Sequence, residues 1–257
     1  MTSRLIPYLR SKIAMLPRLI ERLRLRFPAI PAAHWPTIGV LALASAAACG
    51  LWALRVFLQG RLHHLFLPWN LFLGWLPLLF AASALHLGQL HGWRTWRPWL
   101  AAAAWLIFFP NAPYIFTDLV HLRPMGDHRF WIDLIIILLF AWPGFLVGCL
   151  SLRWLHEAVA GRFGFVTGWT FVGASCGLAG VGVYIGRFLR WNSWDVVTNP
   201  VGLGSDLLGF IGHPATHPAY RLSVLFGLLL FIGYATLHSI PRMPGEQKTS
   251  LSVDSCA

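Results

Sequence analysis

Charge is what this chain has least of. Only 11% of its 257 residues are Asp, Glu, Lys or Arg, against roughly 25% in a soluble domain. So few charges cannot cover the apolar surface of a folded chain in water, which excludes a soluble enzyme, a disordered tail protein and a coiled coil. Acid is scarcer still: nine Asp and Glu stand against twenty Lys and Arg, and only two of the twenty are Lys. Cysteine is also sparse. Cys49, Cys149, Cys176 and Cys256 form no CxxC pair, so neither a zinc framework nor a disulfide scaffold is encoded. What remains is apolar: 57% of residues are hydrophobic and the mean hydropathy is +0.62. That combination belongs to a chain solvated by lipid.

The apolar residues fall into six stretches, each near the roughly 20 residues that a membrane-crossing helix needs. They are Ile38–Phe57, Trp69–Leu87, Trp99–Phe116, Ile132–Leu152, Phe165–Ile185 and Leu222–Ile240. Runs this continuous lack the alternation of a barrel strand, so the expected fold is all-α, a polytopic membrane protein with six transmembrane helices over residues 35–240. Residues 1–34 hold seven basic residues and one acid. Leu5, Leu9, Ile13, Leu16, Ile20 and Leu23 recur there at steps of three and four, the pattern of a basic amphipathic helix lying on the membrane surface. Its expected partners are the bilayer and anionic lipids, with no nucleic acid. Residues 241–257 turn polar and are expected to be a disordered cytoplasmic tail.

Orientation follows from the loops. With the N-terminus in the cytoplasm, thirteen basic residues lie on the inner side and six on the outer side, while Arg55 falls inside the first span. That bias places both termini inside. The loop at 186–220 is then the long outer loop, and long loops often carry function. Within the fifth span, Gly173–Gly177 and Gly182–Gly186 have the spacing that lets helices approach closely, read here as packing inside one chain.

The same topology gathers polar residues at the outer face. The third span delivers Asp118 and His121, three apart and so on one helix face. The fourth begins at Asp133. The fifth ends at Tyr184, Arg187 and Arg190, followed by Asn192 and Asp195. Asn111, between Pro110 and Pro113, is placed to bind carbonyls that the prolines free, or to line a polar cavity. His63, His64, His213 and His217 lie on the same side, but Pro214 and Pro218 interrupt the helix that a zinc pair at 213 and 217 would need.

Three segments carry a resemblance: Phe109-Pro-Asn-Ala-Pro-Tyr-Ile-Phe-Thr-Asp-Leu-Val-His-Leu122, Trp131-Ile-Asp-Leu134 and Gly182-Val-Tyr-Ile-Gly-Arg-Phe-Leu-Arg-Trp-Asn-Ser-Trp-Asp195. Over about residues 60–240 the chain resembles the bacterial integral membrane proteins grouped as domain of unknown function 1361. The resemblance implies a multi-pass protein of the bacterial inner (plasma) membrane and brings no known activity, and it leaves any cofactor unknown. From the residues themselves, Asp118, His121 and Asp133 are candidates for acid–base catalysis or for ligating a divalent metal. Arg187, Arg190, Asn192, Asp195, Asn111 and Tyr184 are candidates for binding an anionic, lipid-like substrate. Two alternatives stand beside a membrane enzyme or binder. One is a small-solute transporter, disfavoured because no residue charged at neutral pH sits mid-span. The other is an assembly protein in which the cluster is a staple between helices.

Overall fold

The computed structural model of the chain describes residues 30, 32–60, 64–122, 128–212 and 218–240. The amphipathic N-terminal segment, the polar tail, and Arg61, His63, Arg123, Asp127, His213 and His217 lie outside the described residues. Among the described residues the fold is all-α, with no strand. Its helices are α1 (Trp35–Gln59), α2 (Phe66–His91), α3 (Trp96–Phe108), α4 (Asn111–Tyr114), α5 (His128–Phe163), α6 (Phe165–Phe188), α7 (Asp195–Thr198), α8 (Pro200–Gly212) and α9 (Pro218–Ser239). Two 3-10 helices accompany them, Ala32–His34 and Ile115–His121. Six segments are long and apolar enough to cross a membrane: α1, α2, α3 with its continuation to His121, α5, α6 and α9.

Local chemistry sets the ends. Pro36 sits in the first turn of α1, where a missing N–H costs nothing. Gly60 ends that helix at φ 63°, and its N–H closes on the Val56 carbonyl at 2.9 Å. The third span is where the chain departs from one continuous helix over residues 99–116. Pro110 and Pro113 lack the N–H groups a regular helix would use, so α3 stops at Phe108 and the chain continues as α4 and then as a 3-10 helix. In that 3-10 helix, residues three apart eclipse, so Asp118 and His121 still share a face.

Helix α5 is the central post. Its 36 residues span roughly 54 Å, beyond the roughly 30 Å hydrocarbon core, and it packs against α1, α2, α4, α6 and α9. Of its most apolar window 67% is buried, against 11% for α1, so α1 is peripheral and mostly lipid-facing. Trp105, Phe109, Phe140 and Tyr234 fill the core. One buried polar pair ties α3 to α5: Trp105 Nε1 donates to Ser151 Oγ at 3.1 Å, and that hydroxyl donates to the Gly148 carbonyl at 2.7 Å. At the end of the bundle expected to face inward, Trp154 Nε1 donates to His34 Nδ1 at 2.7 Å, and His156 Nδ1 bonds the Tyr234 hydroxyl at 2.7 Å.

Helices α6 and α9 approach closely. A Cβ on Gly180 would overlap the Ser223 backbone carbonyl, so only glycine lets the two backbones meet. Of the two spaced glycine pairs, Gly182 and Gly186 receive Pro110 and Tyr114 of the third span. Gly173 and Gly177 face open space.

Candidate functional site

At the end of the bundle expected to face outward, two buried carboxylates are each closed onto an arginine. Asp118, 1% exposed, accepts a hydrogen bond from Asn70 Nδ2 of α2 at 2.9 Å. Its other oxygen faces Arg187 Nη1, in the last turn of α6, at 3.5 Å. Arg187 also meets His121 Nε2 through Nη2 at 3.2 Å. Asp133, at the start of α5 and equally buried, pairs with Arg55 of α1. His64 Nε2 lies 3.8 Å from the same Asp133 oxygen.

Phe66 joins the two groups. Its ring stacks on His64 with centroids 5.6 Å apart and tilts against His121 at 5.0 Å. A continuous chain therefore runs Arg55, Asp133, His64, Phe66, His121, Arg187, Asp118, Asn70. It ties α1, α2, α5, α6 and the 3-10 helix together at one depth. Arg55, Asn70, His64 and Phe66 are the members that the sequence-based set of site residues lacks. A signal for Arg55 existed: an arginine inside an apolar span needs a counter-charge at its own depth, and Asp133 is an acid at the matching end of another span.

The remaining candidates divide. Tyr184 is buried and stacks on Phe188 at 5.3 Å. Arg190 leaves the face of Tyr184 and Arg187 because α6 ends at Phe188. It takes a left-handed backbone at φ 58°, which turns the chain so that the Trp191 N–H closes on the Ile185 carbonyl at 3.3 Å. Its side chain is exposed. Asp195 orders the next turn, accepting from the Asn192 backbone N–H at 2.7 Å, from Thr198 Oγ1 at 3.0 Å and from Asn192 Nδ2 at 3.3 Å.

The Asn192 N–H, helped by the Thr198 hydroxyl and the Asn192 amide, holds the Asp195 carboxyl below the usual carboxylate range. The turn therefore has its full stability above the ordinary carboxylate pKa and loses it as pH falls through the lowered value. Hydrogen exchange tests this. The protection factor of the Asn192 amide is expected to drop on acidification, and in Asp195→Ala to be low already at neutral pH. Equal protection in both proteins contradicts the assignment.

A cleft of about 330 Å³ lies beside these groups, roofed by α7 and α8 and walled by α2, α3, α4 and α6. Asn111 lines it while its amide donates to the Phe108 carbonyl at 2.9 Å and to Ser193 Oγ at 3.1 Å. Asn111 thus binds a backbone carbonyl, though not one of the two (Leu106 and Phe109) that the prolines leave without their i+4 N–H, and it also lines the cleft. Asn70, Tyr114, Asn192 and Ser193 add polar groups, and Trp69, Trp191 and Trp194 add indoles. Leu203 and Leu207 of α8 close the roof, and Trp191 Nε1 anchors that helix by donating to Asp206 at 2.8 Å. Among the described residues that line the cleft, none is charged. Asp118, His121, Asp133, Arg187, Arg190, Asp195 and Tyr184 are outside its lining. Among the described residues no three of His, Cys, Asp and Glu gather into a metal-binding set.

No curated protein and no solved structure matches this chain. Residues 69–232 match the family described as protein of unknown function, DUF1361, and the chain belongs to that family. The match contains the whole cleft, from Trp69 to Leu207, and the Asn70, Asp118 and Arg187 group. It begins after Arg55 and His64.

Proposed function

We infer that this membrane protein of the DUF1361 family binds the polar group of a lipid-like ligand in the cleft beneath α7 and α8. The ion pairs beside the cleft hold its walls. One observation carries the reading: a cavity at one end of the helix bundle whose mostly apolar lining carries three carboxamides, a serine, a phenol and three indoles. Its volume lies in the range of about 300–1,000 Å³ usual for small-molecule sites. The lining amides already donate within the protein, to Asp118, Phe108, Ser193 and Asp195, but amide oxygens and hydroxyls accept without charge, and indole faces pack on the apolar faces of hydroxylated rings. The lining suits a neutral, hydroxyl-bearing headgroup.

An anionic headgroup is supported less well. Arg187 is engaged by Asp118 and His121, and Arg190 sits on an exposed turn. Binding is likewise favoured over catalysis, because an enzyme would need Asp118, His121 or Asp133 open to the cleft. A transporter would need a polar path onward from Asn111, yet beyond Leu106 and Leu178 the adjoining cavity is apolar.

Monomeric octyl glucoside is a suitable probe, with a neutral hydroxylated ring and a short chain. A ligand that binds only the folded state stabilises it by mass action, about 2.7 kcal/mol at a hundredfold excess over Kd. The probe is expected to raise the melting temperature of the full-length protein in nanodiscs by several degrees. Trp194→Ala and Asn111→Ala are each expected to remove most of that shift. No shift in the wild type, or the same shift in both variants, contradicts the reading.

A further inference from the structure

The outer cleft continues inward. A second cavity of about 770 Å³ lies along the same seam, between α3, α5 and α6. Leu106 of α3 and Leu178 of α6 line both cavities, so the two adjoin end to end. On the outer side of these leucines amides and indoles stand among alkyl groups such as Leu73, Ile107 and Val181. On the inner side they are alkyl and aromatic groups, among them Ala102, Leu155 and Phe171. Only Ser175 and Arg162, besides the indole N–H groups, bring polarity to the lining.

Small side chains create this space. Ala102 and Ala103 on α3, Ala158 and Gly161 on α5 and Ala174 on α6 stand where larger residues would close the wedge. Ala103, Ala174 and Leu178 are exposed, so the crevice opens sideways toward lipid. Its inner end is finished by Trp93 and Trp99, whose Nε1 donates to the Trp93 carbonyl at 2.8 Å. Indoles held this way mark a membrane interface.

The length of the seam is informative. From Gly186, which lines the cleft, to Phe171, which lines the crevice, is 15 residues of α6, roughly 22 Å. Half of the hydrocarbon core is only about 15 Å. The seam therefore runs past the mid-plane of the bilayer, deeper than one leaflet.

We propose that a single amphipathic ligand fills both cavities, its neutral hydroxyl-bearing group in the cleft and one long aliphatic chain in the crevice. This rests on the binding reading above and adds the chain, its number and its reach. Lipid tails are as apolar as the crevice wall, so escape from water does not hold the chain there. Close packing against the alanine-lined walls does, together with its tether to a headgroup already fixed in the cleft.

The test uses full-length protein in nanodiscs and hexadecyl glucoside carrying a diazirine at the chain end. Crosslinks are expected to concentrate on residues 99–106, 155–163 and 171–178. Ala174→Phe is expected to remove them by filling the crevice. Ala103→Phe is a second filler, and both positions are exposed, so neither ring displaces the core. Trp194→Ala is also expected to reduce the crosslinks, because the headgroup then loses its anchor. Crosslinks spread evenly over the lipid-facing helices, or unchanged by both fillers, overturn the proposal. If Trp194→Ala still abolishes the octyl glucoside shift in that case, the cleft reading stands without the chain. Crevice crosslinks lost in Ala174→Phe but unchanged in Trp194→Ala also overturn it, since the crevice then holds a lipid independent of the cleft.

Discussion

Replacing Asp133 with leucine alone is expected to destabilise the protein by about 3–5 kcal/mol, the usual cost of stranding one partner of a buried ion pair. The side chains of Asp133 and Arg55 are 2% and 14% exposed. Removal of the carboxylate leaves a guanidinium among α1 and α5 side chains near the membrane surface, and Nε and Nη1 of Arg55 already lack hydrogen-bond partners among the described residues. Arg55→Leu alone is expected to be costly for the mirror reason, because a buried carboxylate loses its cation. The double variant, Arg55→Leu with Asp133→Leu, is expected to recover most of the loss, since an apolar pair of similar volume often equals or exceeds a buried salt bridge. Unfolding in mixed micelles, followed through the four corners of the cycle, reads the coupling. Additive losses in the double variant would show that the two residues do not act as a pair.

Gly180→Leu is expected to prevent α9 from docking on α6 and to abolish the folded state. Even one added carbon would overlap the Ser223 carbonyl, which belongs to the backbone and cannot rotate away. Tertiary contacts in a bilayer come from close packing and not from expulsion of water, so two helices forced apart have little else to hold them. Gly173→Leu serves as the control, because Gly173 is exposed and no neighbouring atom lies within 4 Å of the Cβ it would gain. Size-exclusion profiles and melting in detergent should separate the two variants sharply. Equal behaviour would mean that the α6–α9 contact is not tight.

Hydropathy alone makes the six spans legible, because a spanning helix must be apolar along its whole length. The break in the third span is legible only in part: Pro110 and Pro113 mark it, but where the 3-10 helix ends depends on tertiary contacts to α5 and α2. Asp118, His121 and Arg187 come together as their positions at span ends imply. Arg190 does not join them, because periodicity says nothing about where a helix stops, and α6 stops two residues earlier. Asn70 and Phe66 were hidden for another reason. A lone amide or phenyl ring in an apolar helix carries no pattern, and its role appears only when a second helix brings Asp118 or His121 against it. The cleft is less legible still. Its walls come from four helices, α2, α3, α4 and α6, and its roof from α7 and α8, short helices within the long loop at 186–220 that hydropathy does not mark as spans.

The most direct test of a ligand in the cleft beneath α7 and α8 is native mass spectrometry of the wild-type protein released gently from its own membrane. A bound amphiphile at one copy per chain is expected, absent or strongly reduced in Trp194→Ala. A wild-type protein that emerges bare, or an adduct equally abundant in the variant, would contradict the account and leave the cluster of Asp118, Asp133, Arg55 and Arg187 as a staple with no site beside it.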